Sequence, residues 1–132
     1  MVPKIGIATK EKLFMERIEE AIAYAEKELP GSEKEIRKLI KHFPIFSDKT
    51  ATGGTVIVHK DPGETRIGEY AIPFDDVMGA PIQTLAQMII IAARMIKNEP
   101  DEVDGSWTIS GSPIMTYIAA AGDDFSSLPA IP

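Results

Sequence analysis

The sequence predicts an α+β domain in which an antiparallel sheet of four strands, or slightly more, packs on helices in the order α-α-β-β-α-β-β. Three observations lead to this fold: a long apolar stretch at residues 80–98, two amphipathic stretches before it, and segments rich in β-branched residues on both sides. The length of 132 residues suits one domain. We place that domain at residues 1–125 and expect an irregular tail at residues 126–132.

Residues 80–98 form the predicted central helix. Read at the helical period, apolar side chains cover most of its surface and leave a narrow polar seam of Gln83, Gln87, Arg94 and Asn98. A helix that is apolar nearly all round is normally buried. The uncharged run ends at Arg94, short of the roughly 20 residues that a membrane span requires. We therefore expect Ile89 and Ala92, opposite the seam, to lie deep in the core.

Two amphipathic helices are predicted before the central one. The first covers residues 9–29, where Phe14, Ile18 and Ile22 recur at helical spacing, and Pro30-Gly31 ends it. The second begins at Ser32, whose spacing from Glu35 is that of a capping box. It runs to Phe43, because Pro44 cannot continue a helix.

Four strands complete the predicted fold. Thr55–Lys60 and Thr65–Ile72 flank the sequence Asp-Pro-Gly-Glu, in which proline followed by glycine favours a type II turn with positive φ at Gly63. These two strands are predicted to form a β-hairpin. Beyond the central helix, residues 106–110 and 114–120 are predicted as two further strands.

Charge is distributed unevenly along the chain. Residues 1–66 carry 12 basic and 11 acidic side chains, and residues 67–132 carry two basic and nine acidic ones, so balances of +1 and −7 give the total of −6. An acidic half repels phosphate backbones, which argues against direct nucleic-acid binding. It favours a basic protein partner, although a solvated acidic surface is the simpler interpretation.

Other features of the composition exclude some kinds of chemistry and indicate the source and the cellular location of the protein. The chain has no cysteine, which excludes disulfides, thiolate nucleophiles and cysteine-ligated metals. It has only three amide side chains, a bias that favours a thermophilic source. The first twelve residues contain no apolar run of signal-peptide length, so we expect a cytoplasmic location and no membrane association.

Candidate catalytic residues are those that could line a cavity between sheet and helices with mixed polar and apolar groups: His59, Tyr70, Asp75, Trp107 and Tyr117. For His59 an exposed strand position is the simpler interpretation, and for the aromatic residues a place in the core is simpler. His42 follows the apolar stripe of the second helix, where a structural role is expected.

Candidate metal ligands are the carboxylates near the ends of predicted elements: Asp101, Asp104, Asp123 and Asp124. Hard cations prefer such oxygen ligands. However, the spacing lacks the alternating ligands and closing glutamate of a calcium loop. Gly53-Gly54 likewise lacks the lysine and the following helix of a phosphate-binding loop. We therefore predict no metal and no cofactor.

Three functions of different classes fit the sequence. The favoured one is a non-enzymatic protein-interaction module that forms a homo-oligomer, because the predicted layers carry more apolar surface than a small domain buries alone. The alternative is a small-molecule-binding or enzymatic domain with a cavity between sheet and helices. The third is an acidic decoy that occupies the nucleic-acid site of a basic protein.

Overall fold

A computed structural model describes residues 7–47, 53–98 and 105–128 of the chain. Its helices are α1 (Ile7–Glu28), α2 (Ser32–Leu39), α3 (Phe74–Gly79), α4 (Ile82–Lys97) and α5 (Ser112–Ala121), and Phe125–Ser127 forms a 3₁₀ turn. Its strands are β1 (Ile40–His42), β2 (Ile45–Phe46), β3 (Thr55–Lys60), β4 (Ile67–Pro73) and β5 (Gly105–Ser110). The predicted α+β class is confirmed.

The described strands form one mixed sheet in the order β1-β4-β3-β5, in which β2 also pairs with β4. Strand β3 is antiparallel to both neighbours, whereas β1 and β2 run parallel to β4. The prediction of a purely antiparallel sheet is therefore wrong. Residues 40–46, expected to end a helix and enter a loop, instead follow one edge of β4, and the Pro44 carbonyl accepts a hydrogen bond from the Ile72 amide at 3.3 Å.

The predicted hairpin is confirmed. Val56 lies opposite Tyr70 in an antiparallel register, and the Glu64 amide donates to the Asp61 carbonyl at 2.9 Å across the turn. Gly63 has a φ of +79°, the left-handed conformation that glycine adopts without steric cost. Strand β4 begins at Ile67, two residues later than predicted.

The last predicted strand is wrong, because residues 112–121 form helix α5. Pro113 lies in the first turn of this helix, where its missing N–H removes no hydrogen bond. The three alanines at its end favour a helix strongly. The observed element order is thus α-α-β-β-β-β-α-α-β-α, and the short helix α3 was also not predicted.

Helix α4 is central, as predicted. It packs against α1, α2, α5 and the sheet, and Ile89 and Ala92 are both 0% exposed. Its polar seam holds the carboxyl-terminal segment. Gln83 donates to the Asp123 carboxylate and Gln87 to the Gly122 carbonyl, both at 2.7 Å, and Arg94 donates to the Leu128 carbonyl at 2.6 Å. Residues 129–132 of the predicted tail lie outside the described residues.

The start of α2 differs from the predicted capping box. Ser32 Oγ donates to the Leu29 carbonyl at 2.6 Å and caps no amide of its own helix. Instead the Glu26 carboxylate on α1 accepts from the amides of Gly31 (2.8 Å) and Glu33 (3.1 Å). A carboxylate at a helix amino terminus also interacts favourably with the helix dipole. Among the described residues, no helix combines the length and apolarity needed to cross a bilayer.

Candidate interaction surface

Helix α5 is apolar but largely uncovered. Its sequence, SPIMTYIAAA, contains no charged residue, yet Ile114 is its only buried side chain. Met115 is 37% exposed, and Ala119 and Ala120 are also exposed. A helix that is apolar on most of its circumference is normally enclosed by other elements. Here α4 covers one side of α5, and the other side faces outward.

Strand β5 forms one edge of the described sheet. The Gly111 amide donates to the Gly54 carbonyl at 3.1 Å, which marks these two residues as a hydrogen-bonded pair in the β3–β5 ladder. Because such pairs recur at every second residue of an antiparallel ladder, the backbone groups of Trp107 and Ile109 bond to β3. The N–H and C=O groups of the alternating residues, Ser106, Thr108 and Ser110, therefore point away from β3.

No described strand pairs with those outward groups of β5. Proteins usually protect an edge strand with charged side chains, proline or a bulge. Strand β5 contains neither a charged residue nor a proline, and its register with β3 is regular over all six residues. The outward backbone groups of β5 are therefore available to pair with another strand.

Strand β5 and helix α5 belong to one continuous uncharged stretch. Residues 105–122 contain no Asp, Glu, Lys or Arg, and this is the longest such stretch in the chain. The central helix, which has the next longest, is buried. On β5 and α5 the apolar side chains Trp107, Ile109, Tyr117 and Ile118 are only partly covered. We define residues 105–121 as the β5–α5 surface.

The outer face of the sheet carries a polar network that contains both histidines of the chain. His59 Nδ1 lies 2.8 Å from Ser106 Oγ, and its Nε2 lies 3.2 Å from Glu69 Oε2. The other oxygen of Glu69 lies 3.3 Å from His42 Nδ1. A Ser–His–Glu chain of this kind can activate a hydroxyl as a nucleophile. However, the His59 side chain is 41% exposed, and a serine site of this type also needs a shielded pocket.

The candidate catalytic residues do not converge. His59 lies on the outer face, whereas Tyr70 is fully buried on the inner face and donates its hydroxyl to the Gly53 carbonyl at 2.6 Å. Burial raises the pKa of the Tyr70 hydroxyl far above its ordinary value. Asp75 is exposed on α3, and Trp107 lies on the inner face of β5. Tyr117 is on α5 rather than on a strand.

Of the four candidate metal ligands, the structure describes Asp123 and Asp124. Asp101 and Asp104 lie outside the described residues. Asp123 accepts the hydrogen bond from Gln83, and Asp124 accepts from Ser126 and Ser127 at the start of the 3₁₀ turn. The hydrogen bonds from Ser126 and Ser127 lower the pKa of Asp124. Within residues 7–47, 53–98 and 105–128, no three His, Asp or Glu side chains are arranged to hold a metal ion.

Sequence reasoning missed the β5–α5 surface because it assigned residues 114–120 to a strand. The signal that could have found it is the uncharged run at residues 105–122, which ends close to the acidic pair Asp123-Asp124. Comparisons with protein-family models, with curated proteins and with solved structures gave no match.

Proposed function

We propose that the protein is a non-enzymatic interaction module whose partner is a second copy of the same chain, bound through the β5–α5 surface. The observation that carries this proposal is the coincidence of an unpaired, unprotected edge strand with an uncharged helix that leaves most of its side chains uncovered. Extended apolar surface and open strand edges both favour association.

A twofold dimer would pair the open edge of β5. If β5 pairs antiparallel with itself around Thr108, the outward groups of Ser106 in one copy bond to those of Ser110 in the other, and Thr108 pairs with its own equivalent. In this register Trp107 of one copy lies opposite Ile109 of the other on the inner face. An aromatic residue opposite a β-branched one is a favourable cross-strand pair.

The test of the strand contact is Thr108→Pro. Proline removes the outward N–H of Thr108 and introduces a ring at the edge, but it breaks no bond to β3 because that N–H points away from β3. Light scattering after gel filtration should give 28.8 kDa for the wild-type protein, twice the chain mass of 14.4 kDa. It should give the monomer mass for Thr108→Pro.

The test of the helix contact is Ala119→Glu, which places a charge on the exposed side of α5. The matched control is Ala23→Glu, the same change at an exposed position of α1. We expect Ala119→Glu to be monomeric and Ala23→Glu to remain dimeric. A monomeric wild-type protein, or equal behaviour of the two glutamate variants, would contradict the proposal.

The network of Ser106, His59 and Glu69 favours a second candidate function, ester hydrolysis with Ser106 as nucleophile and His59 as base. Hydrolysis of p-nitrophenyl acetate tests it. Ser106→Ala and His59→Ala should both abolish turnover, whereas His42→Ala should retain it. If Ser106→Ala is as active as the wild-type protein, the network serves only to hold the outer face together.

A further inference from the structure

Two adjoining cavities lie between helix α2 and the carboxyl end of α4. One has a volume of about 280 Å³ and is lined by Lys34, Lys38, Leu39 and Lys97 together with Glu35. The other has a volume of about 300 Å³ and shares Glu35 and Lys97 with the first. Each volume is near the lower end of the range that small-molecule sites occupy.

Three lysines line the first cavity without an acidic partner. Among the described residues, no carboxylate forms an ion pair with Lys34, Lys38 or Lys97. This is unexpected in a chain with 20 acidic and 14 basic residues. By contrast, Arg37 on the same helix pairs with both Glu19 and Glu33.

Among the described residues of the lining, Glu35 is the one carboxylate, and it pairs with another cation. Glu35 Oε1 lies 3.6 Å from Nε of Arg94, whose side chain is only 19% exposed and also donates to the Leu128 carbonyl. Among the described residues that line the two cavities, four cations and one anion therefore sum to +3, against −6 for the whole chain. Leu39, which is 7% exposed, adds an apolar group to this basic lining.

We infer that the first cavity, lined by Lys34, Lys38, Leu39 and Lys97, binds a small amphiphilic anion. This anion is an organic phosphate or carboxylate that carries a short apolar group. The ammonium groups of Lys34, Lys38 and Lys97 would bind the anionic head by charge-assisted hydrogen bonds, and Leu39 would contact the apolar part. The site lies on α2 and α4, apart from the β5–α5 surface, so this inference is independent of the proposed dimer.

Isothermal titration calorimetry with hexyl phosphate and hexanoate tests the site in the full-length protein. We expect both to bind, and we expect hexyl phosphate to bind more tightly because its head carries the greater charge. Inorganic phosphate lacks the apolar group and hexanol lacks the charge, so each should bind at least tenfold more weakly than hexyl phosphate. Raising NaCl to 0.5 M should weaken binding, because salt screens exposed charges.

Substitution of the lysines locates the site. Lys34→Ala and Lys97→Ala should each weaken hexyl phosphate binding about tenfold, the loss expected for one charge-assisted hydrogen bond. Lys12→Ala, at an exposed position on α1 outside the lining, is the matched control and should leave the affinity unchanged. The inference is overturned if hexyl phosphate does not bind, if inorganic phosphate binds equally well, or if the control variant weakens binding as much as the others.

Discussion

The buried side chain of Gln87 on the central helix donates a hydrogen bond to the main-chain carbonyl of Gly122, with 2.7 Å between Nε2 and the oxygen. Gln87 is only 1% exposed, and Gly122 is the residue directly after α5. This bond therefore ties the end of α5 to the core and sets the position of the β5–α5 surface.

Gln87→Ala should lower the free energy of unfolding by about 2 kcal/mol, because it removes the buried hydrogen bond and leaves a small cavity. Urea denaturation measures this loss. The matched control is Gln83→Ala, since Gln83 also bonds to the carboxyl-terminal segment but is half-exposed and has an exposed partner, Asp123. Its cost should be below about 1 kcal/mol. Equal losses of unfolding free energy in the two variants would show that the buried hydrogen bond of Gln87 stabilises the protein no more than the exposed one of Gln83.

Ile89→Asp should cost more than about 3 kcal/mol and prevent folding at ordinary temperature, because it places a carboxylate in the fully buried core of α4. Met78→Asp is the control, since Met78 is 39% exposed on α3. That variant should stay within about 0.5 kcal/mol of the wild-type protein. A wild-type melting temperature for Ile89→Asp would disprove the central position of α4.

Gly63→Val should destabilise the protein by roughly 1–2 kcal/mol, through backbone strain alone. The φ of Gly63 is +79°, and apart from Gly63 and its two chain neighbours no residue has a heavy atom within 4 Å of the position that a Cβ would occupy. Gly79, in α3, has equal space and no positive φ, so Gly79→Ala should be neutral or stabilising. Thermal unfolding of both variants checks the contrast. A loss with Gly79→Ala equal to that with Gly63→Val would rule out φ as the cause.

Asp124 should stabilise the folded protein at neutral pH, and this contribution to the free energy of unfolding should be lost in acid. Hydrogen bonds from Ser126 and Ser127 lower the pKa of its carboxyl in the folded state, so the stabilisation it provides is present above the ordinary pKa near 3.8 and is lost as pH falls through the lowered value. Asp124→Asn removes this contribution. Denaturant unfolding at pH 7 and pH 3 should therefore show a smaller change for the variant than for the wild-type protein. The same change in both would mean that the carboxylate is not linked to folding.

The parts of the fold that local sequence determines were predicted well. The periodicity of α4 indicates its burial directly, and Pro62-Gly63 specifies the turn of the hairpin. The parts that depend on distant residues were not. Strands β1 and β2 exist because they pair with β4, whose residues lie 27 or 28 positions further along the chain. Likewise, the cap of α2 comes from Glu26 on the preceding helix.

The candidate site was predicted less well, for a related reason. Ile114, Tyr117 and Ile118 suit a strand by residue type, whereas Pro113, the three terminal alanines and packing against α4 favour the helix that is observed. The alternation of side chains along β3 is enough to place His59 on the opposite face from Val56 and Val58. However, its contacts with Glu69 and Ser106 depend on the registers of β3 with two other strands, which alternation alone does not specify.

Amide hydrogen exchange at Thr108 tests the proposed self-association most directly, because the N–H of Thr108 points away from β3 and bonds only if a second β5 is present. The amide of Ile109, which bonds to β3 in either case, is the internal reference. We predict that both amides are protected in the wild-type protein at micromolar concentration, and that Thr108 alone loses protection in the Ala119→Glu variant. Exchange of Thr108 in the wild-type protein at the rate of an unstructured peptide, with Ile109 still protected, would contradict the dimer.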